Sequence, residues 1–275
     1  MAMAWALLRS THPGPSFAVA ALAAILSWGF GVGLIPAVLV VLSVLLNQFS
    51  VGLSNDAIDA PRDQEAKRSD KPVAAGDISR AGVWAWAIIF AMVSLTLAGL
   101  IHPGVLISQA VFLLAGWFYN LGLKSTVFSA LAYAVGFGAL PAIISYAAHP
   151  AAFPPWWSVV IAAGLGIAAH FGNVVPDRED DAAQGVRGLP QRLPARVAAG
   201  VLTGMIIVMA GVLVQGAGTQ AFPASLPSAA VAVMVAVAGG VWALSRPQSR
   251  WAFWASIVAS LVLAAGLTGS VLLAG

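Results

Sequence analysis

The fold class this sequence predicts is an all-α integral membrane protein with nine transmembrane helices around a central cavity. Three observations lead there. Of 275 residues, 60% are hydrophobic and 8% are charged, with a mean hydropathy of +0.91; a soluble domain carries about 25% charged residues. Nine stretches approach the roughly 20 mainly apolar residues that a helix needs to cross the hydrocarbon core. Turn-forming or charged segments separate the stretches.

The stretches run over residues 15–33, 34–53, 79–100, 104–121, 126–148, 155–174, 195–214, 226–245 and 251–273. The breaks between them hold Gly33, His102-Pro103-Gly104, His149-Pro150, Pro154-Pro155, Gln215-Gly216, Pro223 to Pro227 and Arg246-Pro247. Two longer breaks, residues 54–78 and 175–194, hold 17 of the 23 charged residues. With nine crossings, all thirteen Lys and Arg residues fall on the side of the N-terminus. The excess of Lys and Arg in cytoplasmic loops then orients the chain: a multi-pass protein of the cell membrane, N-terminus cytoplasmic and C-terminus outside. The first helix lacks a small-residue cleavage site and is expected to be retained. There is no cysteine, which excludes disulfides and thiolate-held metals. The pI of about 9.7 follows from this topology. The bases form no soluble basic module, so the expected partner is the lipid bilayer and not nucleic acid. No repeat of solenoid length is present, and residues 1–275 read as one domain.

All ten acidic residues lie between Asp56 and Asp77 or between Asp177 and Asp181. Both segments carry the pattern NxxxDxxxD, as Asn55/Asp59/Asp63 and Asn173/Asp177/Asp181. Residues four apart on a helix differ by about 40° in azimuth and about 6 Å in height, so each pattern places one amide and two carboxylates along one helix face. Pro61 and Pro176 should kink these helices or unwind their last turns. Both segments follow a helix that ends on the cytoplasmic side, so the two rows should face each other across one cavity.

Carboxylates gathered without cations repel one another. Oxygen donors without His or Cys select Mg²⁺ or a similar hard ion, which commonly pairs one or two carboxylates with a substrate phosphate. Two facing rows suggest two or more Mg²⁺ ions holding a diphosphate, with Arg68, Lys71, Lys124 and Arg187 reaching its free oxygens. A diphosphate whose other end prefers lipid is a prenyl diphosphate. The chemistry expected is ionisation at C1, with the departing diphosphate stabilised electrostatically and a hydrophobic acceptor attacking.

The run Asn55-Asp56-x-x-Asp59-x-x-x-Asp63, followed by Ser69-Asp70-Lys71-Pro72 and Gly76, resembles the first motif of the UbiA superfamily of intramembrane prenyltransferases. Asp177-x-x-x-Asp181 resembles the second, and Tyr119-Asn120 to Lys124 is similar to the short basic loop after the fourth helix. The resemblance implies a helical ring whose cavity opens laterally to the bilayer, and Mg²⁺-dependent transfer of a prenyl group to an aromatic or lipid-like acceptor. Carried over, Asp56, Asp59, Asp63, Asp177 and Asp181 are the catalytic acids. The metal set is Asn55, Asp59, Asp63, Asp177 and Asp181. Asn55, Asn173, Lys71 and Lys124 bind substrate, and Arg68 and Arg187 join them on position alone. Many members carry an Arg-Pro pair near the acceptor pocket; here Thr11-His12-Pro13 stands in that place, which counts against 4-hydroxybenzoate as acceptor.

Several charged and aromatic residues have plainer readings. Asp70 and Asp77 suit turns or helix starts. His170 suits a satisfied core histidine, and Arg80, Arg192, Arg196, Arg246 and Arg250 suit the membrane topology. Tyr119 and Tyr133 suit either core packing or a prenyl channel. An intramolecular terpene cyclase is possible on the same scaffold. A divalent-cation transporter or channel would want polar groups at the helix centres, which read as almost entirely apolar. A phospholipid-forming phosphotransferase lacks its Asp-x-x-Asp-Gly hallmark here.

Overall fold

The computed structural model describes residues 2–174, 185–246 and 251–274, which form helices and turns and, among these residues, no strand. The helices are α1 (Ala2–Ser10), α2 (Pro13–Gly29), α3 (Leu34–Glu65), α4 (Pro72–Ala75), α5 (Arg80–Gly99), α6 (Pro103–Asn120), α7 (Ser129–Ala147), α8 (Trp156–Val174), α9 (Leu189–Arg192), α10 (Ala195–Ala217), α11 (Phe222–Ser245) and α12 (Trp251–Ala274). Each apolar stretch corresponds to one long helix. Seven segments are long and apolar enough to cross a membrane: those of α3, α5, α7, α8, α10, α11 and α12. The two other long helices fall short, α2 by its 17 residues and α6 because Ser108, Gln109 and Asn120 dilute its 18.

Successive long helices are packed neighbours, from α2 through α12, and α12 returns to pack on α2, which closes a ring. The closing seam is tight: a Cβ added at Gly29 of α2 would collide with the Thr268 side chain of α12. Small residues permit such approach where no hydrophobic force draws helices together. The large apolar side chains divide by position. Val40, Val44, Ile143, Ile161, Ile206, Leu213 and Leu263 are fully buried between helices, whereas Trp28, Leu34, Ile35, Met92, Ile107 and Met234 are exposed. So large an exposed apolar surface is that of a protein whose outer solvent is lipid.

Helix α3 departs from expectation. The apolar stretch ended at residue 53, but the helix continues for 12 further residues to Glu65 and has 32 in all. At 1.5 Å per residue it is roughly 48 Å long, well beyond a hydrocarbon core of roughly 30 Å. Its acidic face, expected on a helix, is a continuous helical extension of a spanning helix and not an unwound last turn. Nor does Pro61 end it. Proline has no N–H to offer the carbonyl four residues earlier, here that of Ala57. Arg80, at the start of α5, donates its Nε to the Ala57 carbonyl at 2.7 Å and fills the vacancy. Arg80 thus has a structural task beyond topology. Pro176 lies outside the described residues.

Candidate functional site

A cavity of about 480 Å³ opens at the charged end of α3. Asn55, Asp59 and Asp63 line it from α3, as the four-residue spacing predicts. Tyr119 and Asn120 enter from the end of α6, Tyr133 from α7, Asn173 from the end of α8, and Arg68, Lys71 and Lys124 from the connecting segments. The first members of the two NxxxDxxxD patterns, Asn55 and Asn173, therefore line one cavity. Asp177 and Asp181 lie outside the described residues, as do Arg178, Glu179 and Asp180.

Lys124 reaches the site through local geometry. Gly122 adopts φ 146° between α6 and a single 3₁₀ turn, Leu123–Ser125, that carries the lysine. Its ammonium is nearly buried. It donates to both oxygens of Asp59, at 2.6 and 2.7 Å, and to Asn55 Oδ1 at 3.2 Å. Burial holds this ammonium below the usual lysine range, and Asp59 opposes that shift. Arg62, one turn along α3, reaches Asp59 Oδ2 at 3.1 Å. Asp63 is only 3% exposed and, among the described residues, has no hydrogen bond or ion pair to its carboxylate.

These contacts test whether the residues suit a hard cation. The Lys124 ammonium stands in for one, held by three oxygens of two α3 residues, while Asp63 supplies a further carboxylate with no cation of its own. Oxygen-only donors of this kind suit Mg²⁺. The described residues hold no cluster of three or more His, Cys, Asp or Glu side chains able to bind a metal. The α3 row therefore accounts for one arm of the expected site.

The remaining residues divide. Asp56 is 2% exposed and does not line the cavity. It turns away from Asp59 and accepts from Lys71 Nζ and from His12 Nε2, both at 2.9 Å. Arg68 lines the cavity and pairs with the exposed Asp70 at 2.8 Å through two nitrogens. That pairing holds the Asp70 carboxyl at about 2, below the usual range, and matches the turn role expected of it. Arg187 is exposed, does not line the cavity, and contributes its backbone carbonyl to Arg192; position on the chain alone had suggested a phosphate contact.

His170 is fully buried, with Nε2 2.9 Å from Ser129 Oγ and its ring stacked on Tyr133. Core placement was the simpler reading of it. Tyr119 and Tyr133 meet edge to face at 5.2 Å and both line the cavity, so they are more than core. Arg62 and His12 were not among the expected site residues. Arg62 was legible, lying three residues after Asp59. His12 was visible only as a departure from the Arg-Pro pattern.

Fold and site together define an all-helical, multi-pass membrane protein with an acid- and base-lined cavity at one end of its helices. The chain belongs to the UbiA prenyltransferase family, whose model matches residues 15–262, and prenyl transfer is the activity of that family. No curated protein sequence matches the chain. Solved structures share the fold. A UbiA homolog from Archaeoglobus fulgidus bound to DMAPP and Mg²⁺ superposes with a TM-score of 0.76 at 18% identity, over 97% of this chain and 98% of that one. The apo structure of a UbiA homolog from Aeropyrum pernix K1 gives 0.76 at 16% identity, over 92% and 97%. A structure of digeranylgeranylglyceryl phosphate synthase gives 0.69 at 16% identity, over 100% and 99%.

Proposed function

We propose that this protein transfers a prenyl group from a prenyl diphosphate to a hydrophobic acceptor within the membrane, and that it requires Mg²⁺, with two or more ions bound. The observation that carries this reading is the Lys124 ammonium seated between Asn55 and Asp59 in a cavity that also holds Asp63, Arg62 and Lys71. Such a site suits a ligand that brings both divalent cations and anionic oxygens. The A. fulgidus homologs bound to DMAPP or GPP with Mg²⁺ support the same substrate class.

Bound Mg²⁺ would neutralise charge on the diphosphate and so ease its departure. Asn55, Asp59 and Asp63 would hold it, joined by Asp177 and Asp181. Lys124, released from Asp59 by the incoming cation, would turn its ammonium to the diphosphate, with Arg62, Arg68 and Lys71 around it. The faces of Tyr119 and Tyr133 would border the reacting end of the chain, where an aromatic ring stabilises developing positive charge. In this reading all nine long helices cross the bilayer as one domain, and the N-terminus and the cavity mouth are cytoplasmic.

A transporter is disfavoured by a particular cluster. Ser43, Asn47, Ser94 and Gln109 are polar exceptions on helices whose centres read as almost entirely apolar. These four are closed off: each is fully buried and joined to the others or to backbone carbonyls. A conduction path needs accessible polar groups.

The test is product analysis by mass spectrometry with purified protein, dimethylallyl, geranyl, farnesyl and geranylgeranyl diphosphates, and candidate acceptors, with and without Mg²⁺. Prenylated acceptor formed only with the metal is the expected result. A cyclic hydrocarbon would replace transfer by cyclisation, and no metal-dependent product at all would sink the reading.

A further inference from the structure

His12 and Asp56 form a pair that the diphosphate reading does not use. His12 occupies the turn between α1 and α2 in a left-handed conformation, φ 51° and ψ 62°, which is uncommon outside glycine. The turn is pressed against α3 at Gly52, where an added Cβ would stand 2.6 Å from the Thr11 carbonyl oxygen. Gly52 precedes Asp56 by one helical turn, on the same face. Close approach at Gly52 is therefore what brings His12 to Asp56, 44 residues away in sequence. Ser16 fixes the turn from the other side, donating to the carbonyls of Thr11 and His12.

The contacts assign the ring's tautomer. An ionised carboxylate only accepts, so the 2.9 Å contact of Nε2 with Asp56 Oδ1 makes Nε2 the donor. Lys71 Nζ is 2.9 Å from the same oxygen but 3.5 Å from Nε2, so its short bond also goes to Asp56. Nδ1 then keeps its lone pair. Among the described residues Nδ1 has no hydrogen-bond partner, and the side chain, 39% exposed, lines the cavity. A buried carboxylate that orients an imidazole, on a side chain that lines a cavity and keeps its second nitrogen unbonded among the described residues, is the arrangement of a general base. Asp56 is not among the expected metal donors, and it does not line the cavity that Asp59 and Asp63 line.

We infer that His12 is the acceptor-side base of this enzyme and that the acceptor presents a hydroxyl group to Nδ1. This rests on the prenyl-transfer reading. The hydroxyl oxygen bonds to C1 of the prenyl chain, and the C1–O bond to diphosphate breaks. The bonding pair leaves with the diphosphate, and the hydroxyl proton passes to His12 Nδ1 and then to water. Asp56, held by Lys71, stabilises the imidazolium formed.

The experiment measures two quantities on full-length protein in detergent or nanodiscs. Geranyl diphosphate binding is measured with Mg²⁺, and geranyl transfer is measured with 1-monooleoylglycerol and 4-methylphenol, their methyl ethers, and 4-methylbenzoate. The wild type should prenylate a free hydroxyl and not its methyl ether. His12→Ala and His12→Asn should retain geranyl diphosphate binding within about threefold yet lose transfer by about 100-fold, the scale of a general base. Added imidazole should restore part of the loss in His12→Ala. Asn keeps a donor for Asp56 without a basic nitrogen, so it separates seat from base. Undiminished transfer in both variants overturns the inference. So does wild-type transfer only to the methyl ethers or the carboxylate, or to none of these acceptors despite binding geranyl diphosphate. Absence of Mg²⁺-dependent geranyl diphosphate binding in the wild type would instead overturn the prenyl-transfer reading beneath it.

Discussion

Helix α3 carries two polar clusters, and they are solved in opposite ways. In its apolar half, Ser43 and Ser94 each donate to the other's backbone carbonyl at 2.9 Å, and Gln109 donates to the Ser43 carbonyl and to Ser94 Oγ. Ser50 bonds the Ala87 carbonyl and accepts from Trp117. Every group is neutral, and the cluster fastens α3 to α5 and α6. In the acidic half, Asn55 and Asp59 are held by the Lys124 and Arg62 side chains, Asp63 has no such partner among the described residues, and all three line a cavity. A neutral cluster closed on itself is structural glue, whereas charges whose partners can be exchanged make a binding site. The same helix provides both because the first lies within the ring and the second on its extension.

The contrast breaks most visibly at Asp59. Asp59→Asn keeps the shape and loses the charge that draws a cation in place of Lys124, so Mg²⁺-dependent transfer should fall by at least about 1000-fold, the upper range for loss of an electrostatic stabiliser. The Asp59 side chain is part of the packing, only 9% exposed and bonded to the buried Lys124. Truncation to Ala would leave the buried Lys124 with no oxygen at this position at all, a loss of about 3–5 kcal/mol of stability, whereas Asn keeps one acceptor for it. Asn is therefore the cleaner variant, and thermal unfolding in detergent should show it still folded. Transfer at the wild-type rate would mean that the acidic half is glue as well.

Arg80 sits at the join between the two halves. Arg80→Met should leave the Ala57 carbonyl without a donor behind Pro61, at a penalty of about 1–3 kcal/mol, and loosen the last turns of α3. Hydrogen exchange should rise in residues 57–65 and leave residues 40–50 protected. Unchanged exchange would show that the helix passes Pro61 without help.

In the neutral half, Gln109→Ala should lower stability by about 1–3 kcal/mol while each folded molecule keeps its rate of transfer. A loss of rate without loss of stability would move this cluster into the functional class and blur the contrast.

Sequence reading reached the acidic half further than the neutral one, for physical reasons. The face of Asn55, Asp59 and Asp63 follows from helical geometry over eight residues. Lys124 was legible as a basic loop after an apolar stretch. The helical face of α3 was legible through Asp63, but its unbroken passage past Pro61 to Glu65 was not, because a proline there is expected to kink or unwind the last turns until Arg80 is known to replace the missing bond. The pairing of His12 with Asp56 depends on Gly52 and on a turn packed from far along the chain. Ser43, Ser94 and Gln109 read as isolated polar residues in greasy helices, and only the side-by-side placement of α3, α5 and α6 makes them a network. Local periodicity is written in the chain; the partners that satisfy a buried group are written in the packing.

The smallest expected effect lies at the exposed edge of the charged region, where Arg68 and Asp70 pair. Asp70 has a folded-state value of about 2 against an ordinary 3.8, so its charged form is favoured by folding. The contribution is fully present above pH 3.8 and is lost as pH falls through about 2. Asp70 is 60% exposed, so solvent screens the pair and Asp70→Asn should cost less than about 1 kcal/mol at neutral pH. The difference in unfolding midpoint between wild type and Asp70→Asn should shrink between pH 4 and pH 2 and also with added salt. A difference that persists at pH 2 would assign the Asp70 side chain a role other than its charge.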